Sequence, residues 1–199
     1  MTDEELYLYV PDPLWERFKN GDRHAFAQLY NDHVDNLLLY GMKVIQKQQI
    51  VEDAIQDLFV ELWRSRENLQ SVRSVSFYLV KSLRYKLFRH EKTRMEYFME
   101  DVPAHHPVLQ DSAIEIKILK EEELLNQQKV RRAIQRLPRR QQEVINLRFY
   151  QGFTNDQIAG IMDINYQSAG NLIHKAILAL RKQLGYALLY LFFCILLLF

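Results

Sequence analysis

Residues 137–184 constrain the fold most, because several helix start and stop signals occur there within a short distance of one another. Pro138 suits the first turn of a helix, where its missing N–H is no loss, and Gly152 suits a left-handed stop after that helix. Thr154 and Gln157 have the spacing of a capping box, which predicts the start of a second, short helix. These signals predict two helices joined by a short turn.

A third helix is predicted to follow a tight turn at residues 163–165, with Asn165 as its N-cap. Five apolar residues recur along this helix at helical spacing and are expected to face the core: Ala169, Ile173, Ala176, Ile177 and Leu180. Six polar or amphipathic residues lie on its other side: Tyr166, Gln167, Ser168, Asn171, His174 and Lys175. This arrangement is typical of a helix-turn-helix DNA reader, although an ordinary helical hairpin with a solvated face fits the same pattern.

The remaining composition favours an all-helical chain with separate basic segments. Apolar residues make up 48% of the 199 residues, and no convincing strand alternation is present. Residues 71–95 contain 7 basic and 1 acidic residue, and residues 129–199 contain 10 basic and 3 acidic residues. Between them, residues 96–128 contain 8 acidic and 2 basic residues. Two surfaces for polyanions held apart by an acidic segment would explain this pattern, and so would ordinary solvated helix faces.

We therefore predict an all-α protein of two small helical domains joined by an acidic linker and followed by a short apolar tail. The predicted segments are a loosely ordered lead-in at 1–20, a helical domain at 21–95, a linker at 96–124, a helix-turn-helix domain at 125–184 and the tail at 185–199.

Cofactor and metal chemistry finds little support in the sequence. Cys194 is the only cysteine, so neither an intrachain disulfide nor a cysteine cluster can form. His105 and His106 are adjacent but have no further ligands nearby in the sequence. We expect no metal and no cofactor.

Because residues 1–5 are acidic and no apolar signal segment follows, we expect a cytoplasmic protein.

The helix predicted over residues 50–64 has the clearest apolar side of the first half. Its predicted buried residues are Val51, Ala54, Ile55, Leu58, Phe59 and Leu62. Val60 and Trp63 lie off that side beside acidic residues, which suggests a docking partner because interface centres favour aromatic anchors. The spacing is equally consistent with a Trp63 that simply covers the core.

The helix predicted over residues 77–94 has rings and cations interleaved on one side. The residues on that side are Tyr78, Lys81, Tyr85, Phe88, Arg89 and Lys92. Aromatic rings stack on unpaired bases while cations follow the phosphates, so this side is suited to single-stranded DNA. The rings would also suit a second buried face.

The tail at residues 186–199 contains no charged residue. As a helix its 14 residues would span about 21 Å, which is short of the roughly 30 Å of a bilayer core. Burial against the rest of the protein, burial in a partner and shallow insertion into a membrane all stay open.

The order of these parts resembles the extracytoplasmic-function group of the sigma-70 family of transcription initiation factors, over roughly residues 10–184. The segments that carry the resemblance are FAQLYNDHVDNLLLYG at 26–41, VEDAIQDLFVELW at 51–63, SFYLVKSLRYKLFRH at 76–90 and LPRRQQEVINLRFYQGFTNDQIAGIM at 137–162. The resemblance implies a non-catalytic protein that binds core RNA polymerase and directs promoter recognition, DNA opening and transcription initiation.

The resemblance also implies a role for particular residues. Those that match the core polymerase-binding helix are Asp53, Gln56, Phe59, Val60 and Trp63. Those that match the part that opens the −10 element and holds the nontemplate single strand are Tyr78, Lys81, Arg84, Tyr85 and Arg89, next to the connection at 66–72. Those that match the −35 reader of duplex DNA are Arg139, Arg140, Tyr166, Gln167, Ser168, Asn171, His174 and Lys175, with Gln167, Ser168 and Asn171 on bases and Arg139, Arg140 and Lys175 nearer phosphates.

Three features depart from the family pattern. Tyr85 stands where many relatives have Asn, and Gly170 lies inside the recognition helix where relatives often have a basic residue. The apolar tail lies outside the core pattern. Family members are typically held inactive by an anti-sigma factor, often at a membrane, so we expect such a partner and a membrane-held state.

Two other classes of protein are alternatives to a sigma factor. A one-component helix-turn-helix regulator would use only the C-terminal domain for DNA, with residues 20–95 as a sensor or dimerisation module. An enzyme finds little support, because no phosphate-binding glycine loop, metal-ligand cluster or nucleophile motif is present.

Overall fold

A computed structural model describes the backbone of residues 11–95 and 128–198, and the side chains of residues 11–89 and 128–184. All regular secondary structure in these ranges is helical, which confirms the predicted all-α class. The chain divides into two compact units, Met1–Glu100 and Asp101–Phe199. The linker segment at 96–124, including His105 and His106, lies outside the described residues.

The first helix, α1 (Pro13–Lys19), corrects the prediction of a loosely ordered lead-in through residue 20. The Asp12 carboxylate accepts hydrogen bonds from the N–H groups of Leu14 and Trp15 at 2.9 and 3.1 Å, which caps the helix. Trp15 and Phe18 are fully buried. The Trp15 Nε1–H donates a 3.0 Å bond to the carbonyl of Gln70, 55 residues further along the chain. This short helix is therefore part of the core of the first unit.

Two longer helices follow, α2 (Arg23–Val44) and α3 (Gln48–Ser65). Asp22 caps α2 as predicted, accepting bonds from the N–H groups of His24 and Ala25. The six apolar residues predicted for the inner side of α3 are all buried. At Gly41 the two helices approach so closely that a Cβ would collide with the side chain of Val51.

The last helix of this unit, α4 (Val75–Met95), packs against both α2 and α3. A single turn of 3-10 helix at Arg66–Asn68 leads into the connection before it. The predicted inner residues Leu79, Val80, Leu83 and Leu87 are all essentially inaccessible to solvent. The ammonium of Lys86 lies 2.6 Å from the carboxylate of Glu61, which ties α4 to the outer side of α3.

The first described helix of the second unit is α5 (residues 128–135), and the chain continues through α6 (Arg139–Ile145) into a π-helical turn at Asn146–Tyr150. Pro138 is the N-cap residue of α6, one position before the first-turn place predicted for it. Gly152 adopts the predicted left-handed conformation, with φ of 70°. The capping box of Thr154 and Gln157 is present at the start of α7 (Asn155–Met162).

The final helix, α8 (Tyr166–Leu198), packs against α6 and α7 and has 33 residues. Its backbone continues beyond residue 184, so the predicted recognition helix and the predicted tail belong to one helix. The side chains of the tail lie outside the described residues. Among the helices of the described part, none combines the length and apolar character needed to cross a membrane.

Candidate nucleic-acid and protein interfaces

An open apolar groove of about 410 Å³ lies on the first unit, between α2 and α3. We call it the α2/α3 groove. Its lining residues are Phe26, Tyr30, Gln56, Phe59, Val60, Trp63 and Arg64. Four of the five residues predicted to bind polymerase are in this set. The fifth, Asp53, is exposed one turn before Gln56 on the same helix.

The aromatic rings of α2 and α3 build the base of the groove. Phe59 is 4% exposed, so it supports the groove from beneath and does not stand on the surface. Its ring makes edge contacts with Phe26, at 6.0 Å between centroids, and with Tyr30, at 4.9 Å. Val60 is 46% exposed and forms the open side. The sequence showed the helical spacing of the apolar residues on α2 and α3. It could not show that the Tyr30 side chain stays partly exposed to solvent.

The indole of Trp63 contacts both aromatic rings and a cation. The centroid of the Phe26 ring lies 5.0 Å from that of the indole, and the Phe18 centroid lies at 6.4 Å. The guanidinium of Arg66 lies over the indole at 4.7 Å from its centroid, and Arg66 Nη1–H donates a 2.8 Å bond to the Trp63 carbonyl. Sequence reasoning placed Arg66 only in the connection after α3, because no spacing rule predicts that it folds back on the indole.

The outer face of α4 presents three of its five predicted DNA residues to solvent. Lys81, Tyr85 and Arg89 are exposed, and Tyr85 is 68% exposed. The Tyr78 ring instead packs edge-on against the buried ring of Trp15, at 5.1 Å between centroids. Tyr78 is therefore half-buried and joins the face to the core.

The fifth residue, Arg84, is half-buried, with its guanidinium 4.5 Å from the centroid of the Phe88 ring. The Lys81 ammonium lies 5.7 Å from the Phe77 ring in a similar arrangement. Both contacts hold a cation beside an aromatic ring of the same helix. The alternation of aromatic rings and cations that the sequence predicted for this helix is therefore present in the folded protein as direct ring–cation contacts.

The turn at residues 163–165 fixes where α8 begins and therefore which of its residues face outward. Asp163 has a φ of 54°, and the Asn165 carboxamide oxygen accepts a 2.7 Å bond from the N–H of Ser168. Of the five residues predicted to face the core, Ala169, Ala176 and Leu180 are fully buried and Ile173 is 9% exposed, whereas Ile177 is only half-buried. All six residues predicted for the outer side are exposed: Tyr166, Gln167, Ser168, Asn171, His174 and Lys175.

The predicted phosphate residues Arg139 and Arg140 are exposed in the first turn of α6. Gln142 stabilises the connection between α5 and α6, because its side-chain amide donates hydrogen bonds to the carbonyls of Gln135 and Leu137 at 3.0 and 2.7 Å. This residue was not identified from the sequence, because its role depends on the path of the preceding loop.

Comparison with protein families identifies both units. The model of sigma-70 region 2 matches residues 29–94, and the model of sigma-70 region 4 matches residues 127–180. Together the two matches cover more than half of the 199 residues. A comparison with curated proteins gave no match.

Two solved structures show a similar fold. CnrH, solved in complex with the cytosolic domain of CnrY, is 18% identical with a TM-score of 0.58, and the alignment covers 85% of this chain and 93% of CnrH. The sigma factor RpoE from Bartonella quintana, solved with the anti-sigma factor NepR, is 20% identical with a TM-score of 0.59, and the alignment covers 81% of this chain and 98% of RpoE.

Fold and surface together define a helical protein of two units whose second unit contains a helix-turn-helix. With both regions present in the order that the sequence predicted, the chain belongs to the sigma-70 family. Members of this family are specificity subunits of transcription, and this chain directs promoter recognition.

Proposed function

We propose that the protein binds core RNA polymerase through the α2/α3 groove. The observation that carries the proposal is the exposed apolar lining of that groove within the segment that matches sigma-70 region 2. An aromatic anchor such as Trp63, surrounded by rings and left partly open, is the kind of residue that dominates binding energy at protein interfaces. Gln56 and Asp53 add polar groups at the rim.

The outer face of α4 would act on the −10 element. Extruding a base from a duplex costs a few kcal/mol, and a ring that stacks on the extruded base offsets that cost. Tyr85 is the most exposed ring of this face, and Lys81 lies one turn before it, in reach of the adjoining phosphate. Arg84 and Arg89 extend the positive charge, and Tyr78 anchors the face to Trp15.

The polar side of α8 would read the −35 element in the major groove. Gln and Asn side chains pair with adenine edges, and Ser accepts or donates to several bases, so Gln167, Ser168 and Asn171 are suited to base contacts. Tyr166 and His174 flank them, while Lys175, Arg139 and Arg140 are suited to phosphates, which fix the helix in register.

Core binding is tested with the full chain and purified core RNA polymerase. Val60→Asp places a charge in the α2/α3 groove and should weaken binding by at least about tenfold, as expected for a hot-spot position. Leu39→Asp is the matched control, because Leu39 is 59% exposed on α2 and does not line the groove. The proposal is wrong if both variants bind core as the native chain does, or if the native chain supports no promoter-specific transcription.

An anti-sigma factor is a further proposed partner. The RpoE that shares this fold was solved with an anti-sigma factor, and an exposed apolar groove that must stay covered in the absence of polymerase would suit such a protein.

We also propose that residues 186–199 contact a membrane surface. Apolar residues occupy every side of such a helix, so docking one side on a protein would leave the others in water.

A further inference from the structure

Gly170 is a half-buried residue of α8 beside the exposed polar residues, and nothing within the described chain requires a glycine there. It follows Gln167 by three residues and precedes His174 by four, so it shares their face, and both neighbours are exposed. Its φ is not in the left-handed region. A Cβ added at Gly170 would meet no atom within 4 Å.

A glycine inside a helix is unfavourable. Relative to Ala it shifts the helix equilibrium toward the unfolded chain by roughly fivefold, because the backbone loses more freedom on folding. At Gly41 the structure shows a compensating reason, since a Cβ there would collide with Val51. At Gly170 no such contact exists within the described residues, so the reason for the missing side chain is to be sought outside the chain.

We propose that Gly170 is the point at which α8 approaches promoter DNA most closely and that it sets the depth of the helix in the major groove. The inference rests on the proposed −35 contact. The major groove is about 12 Å wide, and a helix with its side chains is about 10–12 Å across, so the fit is tight. Absence of a side chain on the groove-facing side lets the backbone sit deeper.

The length of the neighbouring side chain supports this depth. Asn171, which directly follows Gly170 on α8, is short and exposed. Short side chains reach base edges only when the backbone that carries them lies close to the floor of the groove. Gly170 is then a specificity-determining residue that acts by admitting the helix, while Gln167, Ser168 and Asn171 make the hydrogen bonds.

The test uses the full chain assembled with core RNA polymerase. The probe is a duplex that the native holoenzyme selects from a randomised pool, labelled for equilibrium binding. Gly170→Ala should raise the Tm of the free chain, because Ala is the better helix former and the space is open. The same variant should weaken binding to the selected duplex by about tenfold, the order seen when one base contact is lost.

Two further variants separate the explanations. Gly170→Lys adds a cation beside the DNA and should also weaken binding, since the new side chain occupies the space that the DNA needs. Asn171→Ala removes a predicted base contact and should weaken binding, which tests the −35 contact independently of Gly170; Ala is a better helix former than Asn as well, so the Tm of this variant does not discriminate. These four results together support the inference.

The inference is overturned if Gly170→Ala binds the selected duplex as tightly as the native chain, or if Gly170→Lys binds it more tightly. A fall in the Tm of Gly170→Ala would also overturn it, because it would show a requirement within the chain. If the native holoenzyme selects no duplex, or if Asn171→Ala binds like the native chain, the proposed −35 contact itself fails.

Discussion

His33 is a half-buried side chain on α2 whose pKa is lowered by burial, and this outweighs the carboxylates of Asp32 and Asp12, which raise it. The folded chain therefore binds a proton at His33 less readily than the unfolded chain does. The stabilising effect of a neutral His33 is fully present above the ordinary value of 6.5 and is lost as the pH falls below it.

His33→Gln should accordingly flatten the fall in stability on acidification from pH 7.5 to about pH 5.5. The urea midpoint of each variant at both pH values measures the effect. His24→Gln changes an exposed histidine of the same helix and serves as the control. Identical pH slopes for the native chain and His33→Gln would contradict the assignment.

Arg66 holds Trp63 in place through a stacked guanidinium and a bond to the backbone. Arg66→Ala should loosen the indole and reduce binding to core polymerase by roughly five- to thirtyfold, since such stacking contributes about 1–2 kcal/mol when partly desolvated. Increased quenching of indole fluorescence by acrylamide would report the loosening, because Trp15 is fully buried. Arg23→Ala, at an exposed site of α2, should change neither measurement.

At the scale of the element, α4 carries rings and cations on one side and apolar residues on the other. Loss of a stacked base should cost about 1–3 kcal/mol. Tyr85→Ala is therefore expected to slow promoter opening by several-fold to a hundredfold. Lys81→Ala, which removes a cation proposed to contact the backbone of the single strand, should slow it as well, and both should change duplex binding less. Permanganate reactivity of unpaired thymines measures opening, and gel shift measures duplex binding.

The control for α4 is Lys86→Ala. Lys86 lies on the same helix but pairs with Glu61 on α3, so it points away from the exposed face. Its replacement should leave both assays close to the native values. Equal losses in opening and in duplex binding for Lys81→Ala and Tyr85→Ala would argue against a single-strand role.

The whole molecule consists of two units, and its final helix, α8, extends past the residues proposed to read DNA as far as Leu198. Deletion of these residues should remove binding to anionic lipid vesicles in a flotation assay. Promoter choice in transcription with core polymerase should stay the same, because all the residues proposed to contact DNA precede the deleted segment. Vesicle binding that survives the deletion would exclude the tail as the membrane contact.

Most of the local backbone chemistry was predictable from the sequence, because the interacting groups lie within a few residues of each other; the Asp12 cap of α1 is the exception. Asp22 and Asn165 cap their helices, Thr154 and Gln157 form the capping box, and Gly152 is left-handed, as predicted. Each of these depends on groups two to four residues apart. Periodicity likewise gave the buried sides of α3, α4 and α8, because helical spacing alone decides which residues share a side.

Tertiary structure alone decided what depends on distant contacts. The burial of Trp15 on α1 was not predicted, because it requires Tyr78 and a carbonyl 55 residues away. Likewise, spacing could not tell that Phe59 lies beneath the α2/α3 groove while Tyr30 stays partly open. Exposure depends on which helices cover a residue, whereas a cap depends only on its own turn. The sequence by itself therefore determined the longer helices and the family, and packing decided which side chains remain available to partners.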